Sequence, residues 1–521
     1  MKWSIGKIAT KRALFTPDNI AIIYEDTPIT YKEFNEETNK VAHFLKDKGI
    51  KKGDRIAVVL YNCVEFLTIY MAAAKLGVIF VPLNFRLVAP ELKYQINKCG
   101  CRLLIFHDDF LKNIEPIKDE ITVEKDKFFC IRLDPEKELP VWVEDFKQVN
   151  NYPSHEPEPD ELVDLDDPLM ILYTSGVSGD PKGAVISHLQ TYFKNFQIIL
   201  YTDMREADKV LFQSPLCHSA GLCAVATPTL CRGATLLMRR KFNPHEFAKD
   251  IEKYRATIVF ALTTMFRFML NSGALDNIDT SSVRVTFGGG ERTPQNLIDE
   301  LAKKGLYLQM GFGQTENSAM ALMPKHAIEK KRGSCGLPNF FTEIWIEDEN
   351  GKKLPPGQIG EIVAIGPNVM SGYWGMPEET KKTIRDGVLH TGDLGYMDED
   401  GYLYIVDRIK DMYRSGAENV YPAEVERILI EHPKIENVAI IGVPDEKWGE
   451  TGKAFIQVKK GEKLTVEEIL NFLDGKVAKY KFPTKFEFVD SLPLTAWGKV
   501  KKIALKEMEM KRQQAKIKQE N

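Results

Sequence analysis

Tyr173-Thr174-Ser175-Gly176-Val177-Ser178-Gly179-Asp180-Pro181-Lys182-Gly183 is the stretch on which the reading of this chain turns. A strand-like apolar lead, Met170-Ile171-Leu172, runs into a turn of glycines and hydroxyls that closes on one lysine. Glycine lets the backbone approach a ligand closely, main-chain N–H groups and hydroxyls donate to phosphate oxygens, and the lysine adds a point charge. The turn therefore predicts phosphate binding. It is not a P-loop, because Pro181 precedes Lys182 and Gly183 follows it, where that motif has glycine before the lysine and serine or threonine after it.

Upstream of the turn, Thr30 and Glu33 have capping-box spacing, and Phe34, Val41, Phe44 and Leu45 recur at helical intervals until Gly49. Arg55–Leu60 reads as a strand, Val64–Lys75 as a helix, Val78–Val81 as a strand, and Leu92–Lys98 and Leu103–Phe106 continue the alternation. That order predicts a mostly parallel sheet covered by helices. Asn151 to Asp167, rich in proline and acid, reads as a loop. After Asp407 the composition changes, which predicts a hinge and a second, shorter unit.

The chain has 521 residues, too many for one ordinary core. With 70 basic against 74 acidic residues there is no basic field to attract nucleic acid. The longest apolar run, Ile69 to Leu83, is interrupted by Lys75 and is too short for a bilayer span. No secretory h-region is visible at the start, so a cytoplasmic location is the expectation. The eight cysteines lack metal or redox spacing and read as reduced, mostly buried thiols. Lys501 to Lys518 carries seven basic and two acidic residues at near-helical spacing and reads as a solvated helix.

Five further segments carry chemistry. They are Gly288-Gly289-Gly290-Glu291, Gly311-Phe312-Gly313-Gln314-Thr315-Glu316, His390-Thr391-Gly392-Asp393, Asp407-Arg408-Ile409-Lys410-Asp411, and Leu492-Pro493-Leu494-Thr495-Ala496-Trp497-Gly498-Lys499. A carboxylate attacking an α-phosphate meets like charge, so a hydroxyl donor, a hard cation on oxygen ligands and a mobile lysine are what that transition state needs. One carboxylate can also accept two vicinal ribose hydroxyls.

In order and spacing these segments, with the turn at Tyr173, resemble the adenylate-forming superfamily of acyl-CoA synthetases, luciferases and peptide-synthetase adenylation domains. The resemblance covers nearly the whole chain. It implies an α/β fold, with a large N-terminal adenylation domain of mixed sheets covered by helices (residues 1–407) and a smaller, mobile α+β C-terminal domain (residues 408–521). It implies that Thr174, Ser175, Gly176, Ser178, Gly179 and Lys182 cradle phosphate, and that Gly290, Glu291, Gly311, Phe312 and Gly313 form the adenine side. Thr315 would meet the α-phosphate and Glu316 would serve Mg2+. Asp393 and Arg408 would hold the ribose and phosphate, Lys410 would be the pivot, Gly416 would line the pantetheine passage, and Lys499 would bridge carboxylate and α-phosphate. Val177 and Leu494 depart from the family's threonine and basic residue.

Amino-acid adenylating domains place an aspartate in the segment that here reads Phe212-Gln213-Ser214-Pro215-Leu216-Cys217-His218-Ser219-Ala220-Gly221. No carboxylate is present, and an unpaired ammonium is costly to bury. The segment resembles the Pro-Leu-Phe-His-x-x-Gly of acyl-CoA synthetases, which makes His218 a gate between acyl pocket and thiol passage. A Cys217–His218 nucleophile is disfavoured because neighbours on a strand face opposite ways. The resemblance places Ala261–Thr264 and Gln309–Gly313 in the pocket wall, with no charge for a second carboxylate. The expectation is an ATP-dependent acid–CoA ligase for a medium- or long-chain fatty acid, using ATP, Mg2+ and CoA. An aromatic or other acid, a carrier-protein acceptor, an oxygenase step and a non-catalytic AMP sensor are the alternatives; a homodimer is compatible with all of them.

Overall fold

The structure, a computed structural model, describes all residues except 1–2, 175–180, 291–292, 416–417, 446–448, 475, 478, 496–498 and 521. The capping box forms as the sequence predicts. Glu33 N donates to Thr30 Oγ1 at 3.2 Å and Thr30 N donates to Glu33 Oε2 at 2.8 Å, starting the helix Tyr31–Asp47. Phe34, Phe44 and Leu45 on its inner face are fully buried, each contributing about 1.5–3 kcal/mol. Gly49, at φ +71°, turns the chain away.

Two sheets follow from the alternation. The first has eight strands in the order Gly372–Tyr373, Lys182–Ser187, Pro168–Thr174, Ile79–Pro82, Arg55–Val59, Leu103–His107, Phe128–Ile131 and Glu144–Asp145. It is parallel from Pro168–Thr174 onward. The second has nine, in the order Leu337–Pro338, Ser318–Leu322, Leu308–Gln314, Val285–Gly289, Ile258–Leu262, Lys209–Phe212, Thr235–Met238, Ile20–Tyr24 and Thr27–Thr30. Helices Tyr31–Asp47, Val64–Leu76 and His188–Thr202 share one core with residues of both sheets. Because a helix between two sheets is apolar all round, Val64–Leu76 is buried from Phe66 to Leu76. Its Lys75 reaches Glu156 at 2.9 Å and Asn39 at 2.6 Å, so the acidic loop after Asn151 neutralises the charge inside the longest apolar run. Burial nevertheless lowers the Lys75 pKa to about 8, with Glu156 opposing. Among the described residues no helix is long and apolar enough to cross a membrane.

A third, antiparallel sheet contains Glu343–Glu347, Gly360–Ile365, Val388–Met397 and Leu403–Arg408. A fourth contains Glu418–Val420, Tyr413–Ser415, Gly449–Val458, Ile435–Asp445 and Lys485–Phe488, and has its own apolar core with helices Pro422–Leu429 and Val466–Leu473. The backbone passes from the third sheet to the fourth through Ile409–Met412, which includes Lys410. The basic C-terminal stretch forms the helix Lys502–Glu520. All eight cysteines are free.

Candidate active site

Three backbone features bring predicted segments near one another. The first is a hairpin. Strands Pro168–Thr174 and Lys182–Ser187 pair antiparallel with Thr174 opposite Lys182, so the ends of the glycine-rich turn are fixed by a ladder. Ser175, Gly176, Ser178 and Gly179 lie outside the described residues. Lys182 Nζ donates to Glu379 Oε2 at 2.5 Å and lies 5.3 Å from the Tyr373 ring centroid. Tyr373 Oη donates to Glu316 Oε1 at 2.7 Å. The lysine of the hairpin and the glutamate of the Thr-Glu pair thus share one aromatic neighbour.

The second feature is the edge between strands Val285–Gly289 and Leu308–Gln314, where Gly289 pairs with Gly311. A Cβ on Gly288 would stand 2.4 Å from Ala261 O, and one on Gly289 2.6 Å from Gly311 O. The glycines are therefore what lets these strands approach so closely at that end. Gly290 takes φ +91° as the chain leaves the sheet; Glu291 lies outside the described residues. Phe312 is buried in the apolar cluster that includes Ile344, Ile362 and Leu403, so its ring is a wall fixed by the third sheet. Thr315 and Glu316 sit half-buried in the turn that follows, and Met370 N donates to Glu316 O at 2.7 Å.

The third feature is the pairing of Asp393 with Arg408 across strands Val388–Met397 and Leu403–Arg408. Asp393 Oδ1 accepts from Arg408 Nε at 3.1 Å, and Oδ2 accepts from Gln314 Nε2 at 2.7 Å. Burial raises the Asp393 pKa, and the charges of Arg408 and Lys499 with the Gln314 hydrogen bond oppose it. Gln314 therefore ties the Thr-Glu turn to the carboxylate proposed for ribose. It is the variable position of its motif, and only its place in the motif could have signalled it.

Lys499 is exposed; Thr495 N donates to Lys499 O at 2.6 Å and Lys499 N donates to Thr495 Oγ1 at 3.1 Å. Its charge acts on two groups of the large domain, Asp393 and His218. His218 caps the short helix Ser219–Gly221, its Nδ1 accepting from Ala220 N at 3.2 Å. Burial first, then Lys499, lowers its pKa to about 4, so the imidazole is neutral at physiological pH with its proton on Nε2. Burial pushes the Cys217 thiol up to about 12, which leaves no thiolate for a Cys–His nucleophile.

Hydrogen bonds hold the C-terminal unit against the connection between the third and fourth sheets. Ala423 N donates to Asp407 Oδ2 at 2.8 Å, and Lys506 Nζ donates to Lys410 O at 3.0 Å. Burial lowers the Lys410 pKa, with Arg408 adding to the effect. Gly416 lies outside the described residues. Tyr373 and Glu379 had no local signature in the sequence; the antiparallel pairing of Gly372–Tyr373 with Ala184–Val185 brings them to Lys182.

Among the described residues no three His, Cys, Asp or Glu side chains are grouped to hold a metal. Glu316 fits a Mg2+ that arrives with nucleotide, since that ion binds through one or two carboxylates plus phosphate oxygens and keeps several waters.

The family model described as AMP-binding enzyme matches residues 10–374, and the model described as AMP-binding enzyme C-terminal domain matches residues 424–499. The chain belongs to the AMP-binding enzyme family. Within this family it is similar to feruloyl-CoA synthase of Amycolatopsis sp, with 36% identity over 96% of this chain and 97% of that protein. It is similar also to 2-succinylbenzoate–CoA ligase of Bacillus cereus (strain AH820), at 33% identity over 96% and 97%. The solved o-succinylbenzoate CoA synthetase of Bacillus subtilis, in complex with its acyl-adenylate intermediate, superposes with a TM-score of 0.84 at 31% identity, covering 95% of this chain and 96% of that one. The same synthetase is solved with ATP and magnesium ion. As a member of the AMP-binding enzyme family the chain is an AMP-forming acid–thiol ligase whose substrates are a carboxylic acid, ATP and CoA, with Mg2+ accompanying the nucleotide.

Proposed function

We propose that this ligase activates an aromatic carboxylic acid, in place of the fatty acid expected from the sequence. The observation that carries the choice is that the two relatives named above, each aligned over 96% of the chain, bear the names of aromatic acids. In the first half-reaction a carboxylate oxygen attacks the α-phosphorus of ATP and pyrophosphate leaves. Lys182 and the hairpin bind the phosphates; for this Lys182 must leave Glu379. Thr315 donates to the α-phosphate, and Glu316 with phosphate oxygens holds Mg2+, which supplies charge neutralisation. Asp393 and Arg408 fix the ribose while Gly290, Gly311, Phe312 and Gly313 bound the base. Lys499 orients the attacking carboxylate against the phosphate.

In the second half-reaction the CoA thiol sulfur bonds to the acyl carbon, the acyl–phosphate bond breaks and AMP leaves. The neutral His218 stands where acid and thiol meet. Because the first step needs Lys499 and the second an open thiol passage, the C-terminal unit is inferred to turn about Lys410. The Ala423–Asp407 contact belongs to the conformation that presents Lys499, and it would break on turning.

A panel of benzoic, cinnamic and fatty acids tests the choice of acid, read as pyrophosphate release and as thioester with free CoA. Aromatic acids are expected to give kcat/KM at least about tenfold above any fatty acid, the discrimination that a pocket differing in shape supplies. Higher turnover with a long fatty acid would reverse the assignment.

A further inference from the structure

The helix His188–Thr202 buries a face that is polar where its neighbours in the core are apolar: His188, Thr191, Lys194, Asn195, Gln197, Ile198 and Thr202. Most of these have local partners. Thr191 and Thr202 hydroxyls donate to Ser187 O and Ile198 O, and Gln197 Nε2 donates to Thr342 Oγ1 at 2.7 Å. Lys194 differs. Its side chain is among the largest fully buried in the protein, and its Nζ has no hydrogen-bond partner among the described residues. Both amide atoms of Asn195, Gln197 Oε1 and Asn317 Nδ2 are likewise buried without a partner.

A buried ammonium with no partner costs several kcal/mol, and buried donors left unpaired in a native fold call for a partner such as an ordered water, an ion or a ligand group. The surroundings indicate which ligand. The helix packs on the π-helical segment Leu222–Ala226 and on strand Ser318–Leu322, the continuations of His218 and of the Thr315–Glu316 turn. Cys223, whose charge state couples to Lys194, lies five residues beyond His218, about 7 Å along a helix axis. The ammonium thus belongs to the helix that packs behind the segment following His218 and behind the strand following the Thr315–Glu316 turn.

We propose that Lys194 is a specificity-determining residue that receives an oxygen acceptor, a ring hydroxyl or a second carboxylate, carried by the acid at the end remote from its reacting carboxylate. This rests on the reading that an aromatic acid lies between His218 and the Thr315–Glu316 turn. The pocket-wall segments carry no charged residue, and the cation comes from a helix outside them. The titratable groups that face Lys194 are Cys223, whose thiol burial pushes up to about 11, and Glu316. Burial lowers Lys194 itself to about 8, with Cys223 and Glu316 opposing.

The test compares benzoic and cinnamic acids bearing hydrogen, hydroxyl or carboxylate at the para position, in the wild type, Lys194→Met and Lys194→Arg. The readout is the ratio of kcat/KM for a substituted acid over its parent. The ratio is expected to fall about 10- to 100-fold in Lys194→Met, the loss of one hydrogen bond to a charged group, and to recover partly in Lys194→Arg. The hydroxyl and carboxylate arms show which acceptor is used. An unchanged ratio in a Lys194→Met enzyme that still adenylates the parent acids overturns this inference alone. No pyrophosphate release with any aromatic acid overturns the assignment of the acid, and this inference with it. Should Lys194→Met not fold, the wild-type ratio for the carboxylate arm decides: it should fall as pH rises through about 8, and a flat ratio from about pH 6.5 to 9.5 overturns the proposal.

Discussion

Replacing Lys499 by alanine is expected to lower acyl-adenylate formation by about 100- to 1000-fold, the usual cost of removing one preorganised charge stabiliser from a transition state. Thioester formation from supplied acyl-adenylate should change by less than about tenfold. The asymmetry follows from position. In this structure the Lys499 charge acts on both Asp393 and His218, where ribose and acid would lie, and a turn of the C-terminal unit would remove it before the thiol enters. Pyrophosphate release measures the first half and free-CoA thioester from synthetic adenylate the second. Equal losses in both would remove the division of labour between the two conformations.

Gly313→Ala is expected to fail differently. A Cβ there would lie 1.9 Å from Ser318 O, against backbone that cannot give way as a flexible side chain would. The strand carries an irregularity between Phe312 and Gly313, and Ser318 sits at φ +60°, so the turn is already tightly bent. Shifting it moves Thr315, Glu316 and, through Gln314, the Asp393 carboxylate. A displacement of about 1 Å at a reacting centre costs about 100-fold, and here both half-reactions should lose that much, because nucleotide and adenylate are held by the same groups. Circular dichroism separates misplacement from unfolding; a folded variant with wild-type adenylation would show that the turn does not position the nucleotide.

Much of this was legible in the chain because the informative parts are local. The capping box at Thr30, the strand–helix alternation and the strand leading into Thr174 depend on residues close in sequence, and they fold as their patterns require. The apolar run around Lys75 could be separated from a membrane span by its one charge, but the partner, Glu156, is supplied from far along the chain by a loop. Tyr373 and Glu379 were invisible for the same reason: only sheet pairing brings them to Lys182. Lys194 was the hardest to read. On a helix whose period already suits burial, a lysine looks like a side chain that reaches out to solvent, and nothing short of the packed structure distinguishes it from one that does not. The identity of the acid was equally out of reach, since a pocket wall of small side chains accommodates an aliphatic tail and a planar ring alike.

The convergence of cations from both domains on a triphosphate is tested most directly by a crystal structure of the enzyme with a non-hydrolysable ATP analogue and Mg2+. The expected result is a triphosphate lying against the turn between Thr174 and Lys182, with Lys182 Nζ moved from Glu379 to phosphate oxygen and Glu316 on the metal side. A triphosphate bound elsewhere, with the Lys182–Glu379 pair still closed, would contradict it.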